Sequence, residues 1–218
     1  MININEFIEH TLLKQDAKKE EIIKLAQEAK EYNFKGVCVN SCNIPLVKEY
    51  LKDTNVQIVS VIGFPLGDCT TATKVFETTE AIKLGADEID MVINTGRLKD
   101  NDFEYVKNDI KSVKTTCGDK VLKVILETDL LTAEEITTAC KLSVEAGADF
   151  VKTSTGFVKN GVGAKVEDVK LMSELVTPFG LKVKASGGIR DKETALKMIE
   201  AGAVRLGTSS GVAIVTQV

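Results

Sequence analysis

The chain is 218 residues long, with 44% apolar and 28% charged residues and a mean hydropathy of +0.03. This composition excludes a disordered or fibrous protein and is sufficient for one sizeable hydrophobic core. The 28 basic and 32 acidic residues give a net charge of −4, with both signs interspersed. A general nucleic-acid-binding surface is therefore disfavoured, because it requires a basic face. An anionic ligand would have to be held locally, by a few cationic side chains or backbone N–H groups.

Targeting and redox features of the sequence indicate a cytoplasmic protein. No apolar stretch approaches the roughly 18 residues that a membrane-spanning helix needs. The first residues, which include Glu6 and Glu9, lack the basic start and the apolar run of a cleaved signal. The five cysteines are odd in number and form no C-x-x-C pair, and His10 is the single histidine. We expect a reduced chain without a membrane segment, a cleaved signal or a structural metal.

Apolar segments rich in β-forming residues alternate along the chain with amphipathic helical stretches. Thr132 and Glu135, for example, form a capping box that predicts the start of a helix. Strict alternation of strands and helices predicts a parallel sheet. Eight segments are predicted as strands: one near 7–12, and 36–40, 57–64, 88–94, 121–127, 149–154, 181–186 and 204–209.

A weak internal repeat supports this alternation. Gly85, Gly147 and Gly202 each stand at the predicted end of a helix, just before a strand. Their spacing of about two βα units is typical of a regular array. With three prolines and no Ser/Gly-rich linker, the sequence shows no domain boundary. The predicted fold class is α/β, a single-domain (β/α)8 TIM barrel over residues 1–218, and a doubly wound open sheet is the structural alternative.

Charged residues recur on one face of three predicted strands, in 88–94, 121–127 and 181–186. Because the apolar face of a barrel strand packs against helices, we expect the charged face to point inward. The inward set comprises Asp90, Lys123, Glu127, Lys182 and Lys184, with Lys152 added if its strand keeps the same register. Lys123 and Lys182 lie away from the strand ends, and we interpret them as parts of an interior ion-pair network. Lys152, Lys184 and Asp90 lie near C-terminal strand ends, where barrel active sites form, and we interpret them as functional.

The pair Lys152 and Lys184 suits covalent catalysis on a carbonyl compound. A lysine amine can attack a carbonyl to form a Schiff base, which is an electron sink for breaking or making the adjacent C–C bond. The attacking amine must be neutral, and a second ammonium group on the adjacent strand favours loss of its proton. Asp90 would orient a water molecule or move protons between intermediates. This chemistry requires no metal and no organic cofactor.

Small, backbone-exposing segments follow the last predicted strands, at 154–156, 186–190 and 207–210. Glycine lets backbone N–H groups approach a ligand, and barrels often hold phosphate between the loops after strands seven and eight. The segments therefore predict a phosphorylated substrate. We assign Thr155 to substrate or phosphate binding, and Arg190 is either a charged contact or a surface residue that caps a helix.

Eight short motifs are spread over nearly the whole chain. The most specific set is VKTSTG at 151–156 followed by KASGGIR at 184–190. The others are EHTLLK (9–14), GVCVN (36–40), IGFPLG (62–67), GADEIDMVIN (85–94), KVILET (123–128) and RLGTSS (205–210). As a set, these motifs resemble those of the deoxyribose-phosphate aldolases. The resemblance implies a class I aldolase that reversibly cleaves 2-deoxy-D-ribose 5-phosphate to D-glyceraldehyde 3-phosphate and acetaldehyde in deoxynucleoside catabolism.

The resemblance also implies roles for individual residues. Lys152 matches the Schiff-base lysine, Lys184 the lysine that perturbs it, and Asp90 the aspartate of proton transfer. The family's phosphate-binding segments match at Gly156, Gly187, Gly188, Gly207, Ser209 and Ser210. Members of the family commonly form dimers or tetramers. The implied partners are therefore the sugar phosphate, acetaldehyde and further copies of this chain, without nucleic acid or membrane.

Three positions depart from the family pattern. Glu9 replaces the more usual aspartate before His-Thr, which lengthens the reach of a pocket hydrogen bond. Phe157 stands where some members carry a lysine, so phosphate binding would depend more on backbone N–H groups. The sequence ends at Val218 without the tyrosine-ended tail of some relatives, so proton transfer or closure of the site is expected to differ.

Two other classes of function compete with the aldolase. The first is another cofactor-free phosphate-binding barrel, either a transaldolase-like transferase or a sugar-phosphate isomerase, which would use a carboxylate or histidine base and form no reducible imine. The second is a sugar-phosphate sensor that binds through the glycines and serines without turnover. The lone histidine and the paired lysines disfavour the isomerase. Intact Lys152, Lys184 and Asp90 disfavour the sensor.

Overall fold

Eight parallel strands close into a barrel in this computed structural model, which describes residues 2–217. The prediction about the chain end at Val218 lies outside these residues. Each strand pairs with the next in parallel, and the last strand closes on the first, from Ile8–Leu206 to His10–Thr208. The (β/α)8 prediction is confirmed, and the open doubly wound sheet is wrong. The strands are β1 (Ile8–Leu12), β2 (Gly36–Val39), β3 (Gln57–Ile62), β4 (Glu88–Val92), β5 (Val121–Ile125), β6 (Phe150–Lys152), β7 (Lys182–Ser186) and β8 (Ala203–Thr208).

Helices follow the strands around the outside of the barrel. The capping box of Thr132 and Glu135 is present at the start of α6. Gly85, Gly147 and Gly202 have positive φ angles of 119°, 79° and 109° where helices end, as the repeat predicts. No helix in the described part of the chain is long and apolar enough to cross a membrane. The helices are α1 (Lys19–Glu31), α2 (Ile44–Tyr50), α3 (Thr71–Leu84), α4 (Thr95–Lys99), α5 (Phe103–Cys117), α6 (Ala133–Glu145), α7 (Val166–Val176), α8 (Lys192–Glu200) and α9 (Gly211–Thr216).

The two faces of the strands have different surroundings. On β4, Ile89 and Met91 are fully buried in the apolar layer between the sheet and the helices. Burying such a side chain contributes roughly 1.5–3 kcal/mol, so this face drives the closure of the barrel. The opposite face lines the interior, where Asp90, Lys123 and Lys184 have no exposed surface. The predicted inward direction of these charges is therefore confirmed.

Lys182 does not belong to an interior network, so that prediction is wrong. Lys182 is the first residue of β7, and its side chain is exposed at the N-terminal mouth of the barrel. Its Nζ lies 5.8 Å from the centre of the Phe150 ring. Because barrel strands are staggered, the same inward register places residues at different depths. Lys123 does form the predicted network, with Nζ 3.1 Å from Asp90 Oδ1.

A second buried ion pair joins two helices outside the barrel. Lys74 on α3 and Asp109 on α5 are fully buried, with Lys74 Nζ 2.5 Å from Asp109 Oδ2. The other oxygen, Asp109 Oδ1, accepts a hydrogen bond of 2.8 Å from the Thr71 hydroxyl. The pair fixes α3 against α5 without contact with the barrel interior.

Replacing Asp109 with alanine should lower the free energy of unfolding by about 3–5 kcal/mol, because the Lys74 ammonium would be left buried without a partner. The Lys74→Met, Asp109→Leu double variant should recover most of that loss. Urea unfolding curves of the three proteins measure both effects. A loss below about 1 kcal/mol for Asp109→Ala, typical of an exposed pair, would contradict this account.

Candidate active site

A cavity of about 430 Å³ opens at the C-terminal end of the barrel strands. Its walls are formed by segments 11–14, 154–157, 186–190 and 207–209, which lie at the ends of β1, β6, β7 and β8 or follow them. Lys152, the last residue of β6, also lines this cavity. Volumes of this order accommodate small molecules, and barrel enzymes use this face for catalysis.

Three lysines surround the Asp90 carboxylate inside the barrel. Asp90 Oδ2 accepts hydrogen bonds of 2.7 Å from both Lys152 Nζ and Lys184 Nζ. Asp90 Oδ1 accepts one of 3.1 Å from Lys123 Nζ. The strand register explains the cluster, because Lys152 pairs with Lys184 across β6 and β7, and Asp90 pairs with Lys123 across β4 and β5. The structure thus brings together the three residues that the sequence predicts as catalytic.

Lys152 differs from the other two lysines in its surroundings. Lys184 also donates to Glu9, and Lys123 has further ion pairs with Glu88 and Glu9. Within residues 2–217, Lys152 has one ion-pair partner, Asp90. Lys184 and Asp90 have no exposed side-chain surface, whereas Lys152 lines the cavity. Lys152 is therefore the amine of this cluster that a ligand in the cavity can reach.

The charge states of the cluster follow from its geometry. Burial alone would raise the pKa of Asp90, but the ammonium groups of Lys123, Lys152 and Lys184 hold it well below its usual range. Burial alone would lower the pKa of Lys184, but the Asp90 and Glu9 carboxylates raise it above its usual range. Asp90 is therefore ionised and Lys184 protonated at neutral pH.

Glu9 is a further member of this cluster, for which the family resemblance implied a pocket hydrogen bond but no ion pair with the interior lysines. Its side chain is buried inside the barrel, and its Oε1 lies 3.3 Å from Lys123 Nζ and 3.6 Å from Arg205 Nε. The alternation of side chains along β1 could have indicated this position, because Glu9 points into the barrel while His10 points outward. His10 Nε2 lies 2.8 Å from Glu28 Oε2 on α1, so His10 has a structural position outside the cavity.

The predicted phosphate-binding segments converge on the same cavity. The N–H groups of Gly187, Gly188 and Ser209 donate to no other residue in the described range. A Cβ on Gly207 would lie 3.1 Å from Lys184 Cε and 2.9 Å from Ser186 Cβ, so a side chain there would displace the lysine stem. The predicted binding residues that line the cavity are Thr155, Gly156, Gly187, Gly188, Gly207 and Ser209.

Ser210 lies outside the cavity lining, and its N–H donates to Thr208 Oγ1 at 2.9 Å. Two cationic side chains, Lys14 and Arg190, also border the cavity. Sequence reasoning missed Lys14, since a lone lysine in a loop carries no specific signal. No cluster of three or more His, Cys, Asp or Glu side chains in the described residues is arranged to hold a metal ion.

Known proteins are similar to this chain over nearly its whole length. Residues 7–217 match the model of the DeoC/LacD family aldolases. The deoxyribose-phosphate aldolase 1 of Mesoplasma florum is 59% identical over 214 residues, which cover 98% of this chain and 96% of that protein. The deoxyribose-phosphate aldolase of Brevibacillus brevis is 58% identical over 215 residues, covering 99% and 96%. The tetrameric deoxyribose phosphate aldolase structure from Aeropyrum pernix aligns with a TM-score of 0.88 and 32% identity, covering 97% of this chain and 88% of that one.

Proposed function

This chain belongs to the DeoC/LacD family of aldolases and is therefore a lyase, and we propose that it cleaves 2-deoxy-D-ribose 5-phosphate reversibly to D-glyceraldehyde 3-phosphate and acetaldehyde. The relatives at 59% and 58% identity carry the name of that activity. One observation carries the catalytic assignment: of the three lysines on Asp90, Lys152 is the one that lines the cavity. Family membership also disfavours the isomerase, which forms no lysine imine.

The reaction begins at the substrate aldehyde carbon, C1. Lys152 Nζ attacks C1, and loss of water gives a protonated imine. Cleavage of the C2–C3 bond sends its electron pair toward the imine nitrogen, while the C3 hydroxyl loses its proton and becomes the aldehyde of glyceraldehyde 3-phosphate. The remaining enamine takes up a proton at C2, and hydrolysis of the imine releases acetaldehyde and restores Lys152.

The ion pairs inside the barrel form one connected cluster of charges. The connected cluster contains the carboxylates of Glu9, Glu88 and Asp90 and the cations of Lys123, Lys152, Lys184 and Arg205. When Lys152 gives up its proton, three buried carboxylates face three cations. Imine formation uses the neutral amine, and in that form of the cluster the buried charges of the two signs are equal in number. Asp90 accepts hydrogen bonds from both Lys152 and Lys184, which supports a role in moving protons between the intermediates.

The substrate phosphate would bind at the cavity wall formed by the segments that follow β7 and β8. The N–H groups of Gly187, Gly188 and Ser209, which donate to no residue within 2–217, support this placement, since such groups bind anions. Arg190 and Lys14 border the same cavity and supply positive charge. Gly156 and Gly207 carry no side chain, so the backbone at these positions can approach the ligand closely. Ser210 donates its N–H to Thr208 Oγ1 and so orders the segment that follows β8.

Turnover of 2-deoxy-D-ribose 5-phosphate tests this function directly. We expect stoichiometric glyceraldehyde 3-phosphate and acetaldehyde, and a higher KM for unphosphorylated 2-deoxy-D-ribose as the matched comparison. Conversion to an isomer without C–C cleavage would contradict the proposal and favour an isomerase. Binding of the substrate without any turnover would favour the sensor.

We further propose that residues 1–218 act as one domain in a cytoplasmic homo-oligomer, a dimer or tetramer. One closed barrel takes in all eight strands from Ile8 to Thr208. The relative from Aeropyrum pernix is described as tetrameric. All five cysteines are free, as expected in a reducing compartment. Sedimentation velocity at micromolar concentration measures the assembly.

A further inference from the structure

The backbone of Glu127 has an unusual conformation just after β5. Its φ and ψ are both 62°, a left-handed region that residues other than glycine rarely adopt. The residues on either side stay paired with the segment around Lys152, because Leu126 N donates to Lys152 O at 2.9 Å and Thr128 N donates to Thr153 O at 3.0 Å. Such conformations persist where the surroundings hold them, and they are concentrated at functional sites.

This conformation directs the Glu127 side chain onto Thr155. Glu127 Oε1 accepts a hydrogen bond of 3.0 Å from Thr155 N, and Oε2 accepts one from the Thr155 hydroxyl. Thr155 Oγ1 in turn accepts a hydrogen bond of 3.0 Å from Phe157 N. One buried carboxylate thus orders the turn from Thr155 to Phe157, in which Gly156 has a φ of 82°.

The ordered turn is the partition between two cavities. Thr155 and Phe157 line both the main cavity and a smaller one of about 200 Å³ beside it. Glu127 borders the small cavity and is absent from the lining of the main one. Its carboxylate therefore acts on the substrate cavity through Thr155 rather than by direct contact.

The hydrogen bonds also change the role expected for Thr155. The Thr155 N–H and the Thr155 hydroxyl both donate hydrogen bonds to the Glu127 carboxylate, so neither is free to donate to a phosphate. We infer that Glu127 is a positioning residue, which fixes Thr155 and the turn to Phe157 in the shape that fits the phosphorylated substrate. This inference rests on the proposed function, because its readout is the KM for 2-deoxy-D-ribose 5-phosphate.

The test combines Glu127→Gln with Thr155→Val. Glu127→Gln places an NH₂ group against one of the two Thr155 donors. The variant therefore loses one hydrogen bond to a charged acceptor, and we expect its KM to rise about tenfold. We expect kcat to stay within about threefold and acetaldehyde to remain trappable on Lys152 by borohydride, since the catalytic cluster is untouched. Glu134→Gln, on the exposed face of α6, is the matched control and should leave KM unchanged.

The double variant shows whether Glu127 acts through Thr155. Thr155→Val alone should raise KM by a similar factor, and the double variant should add little to either single change. Unchanged KM in Glu127→Gln, a fall in kcat at constant KM, or additive effects in the double variant would each overturn the inference. If Glu127→Gln does not fold, an unchanged KM in Thr155→Val overturns it equally. Absence of turnover in the wild-type enzyme overturns the proposed function and this role with it, whereas wild-type turnover with unaffected variants overturns this role alone.

Discussion

Replacing Lys152 with methionine should lower kcat/KM by on the order of 10⁶-fold, the size of effect seen when an enzyme loses its covalent nucleophile. Methionine keeps the unbranched side-chain stem but cannot form an imine. The fold should remain intact, because the interior then holds three carboxylates and three cations and stays balanced. Steady-state kinetics and the thermal midpoint measured on the same samples test both parts.

Two further variants control the Lys152 experiment. Lys152→Arg keeps the positive charge without a nucleophilic amine and should be equally inactive. Lys182→Met removes the exposed lysine at the N-terminal mouth of the barrel, opposite the cavity, and should retain full activity. Loss of a covalent nucleophile should lower turnover far below about 1% of the wild-type value. Turnover above about 1% in Lys152→Met would therefore remove Lys152 from its proposed role.

Replacing Lys184 with methionine should lower activity at pH 7 by at least about 100-fold and move the optimum to higher pH. Without the Lys184 ammonium, the three interior carboxylates are balanced only when Lys152 keeps its proton. The protonated amine cannot attack, so the residual activity of this variant should rise with pH. The pH profile of kcat/KM measures this shift.

Lys184→Arg is the matched control, since it preserves a permanent positive charge on β7. Its pH optimum should stay at that of the wild type, even if the longer side chain lowers kcat. Lys184→Met also leaves Glu9 and Asp90 with fewer partners, so its unfolding must be measured alongside its kinetics. An unchanged pH optimum in folded Lys184→Met would contradict the charge-balance account.

The barrel and its inward charges could be predicted because β4, β5 and β7 separate their faces cleanly in sequence. The alternation of apolar and charged residues along each strand predicts that Asp90, Lys123 and Lys184 point into the barrel. The (β/α)8 fold then brings their strands together around one interior. The depth of a side chain along the barrel axis cannot be predicted from this alternation, since it depends on the stagger between neighbouring strands. That is why Lys182, with the same inward register as Lys184, is exposed at the barrel mouth.

The positions of Glu9, Glu127 and Thr155 show what the sequence pattern leaves undetermined. The contact of Glu9 with Lys184 joins residues from the first and seventh strands, which meet only through the closed barrel. The role of Glu127 depends on one left-handed backbone conformation, for which the sequence KVILET contains no glycine signal. Thr155 was correctly placed at the cavity, but the direction of its two donors follows from Glu127.

Borohydride reduction in the presence of 2-deoxy-D-ribose 5-phosphate, followed by peptide mass mapping, tests the central claim most directly. The imine mechanism predicts stable adducts on Lys152 alone, either a five-carbon phosphorylated adduct from the substrate imine or a two-carbon adduct from the acetaldehyde imine, together with loss of activity in proportion to labelling. The Lys152→Arg variant should acquire no adduct under the same conditions. An adduct on Lys184 instead, or full turnover without any adduct that borohydride can trap, would contradict the account.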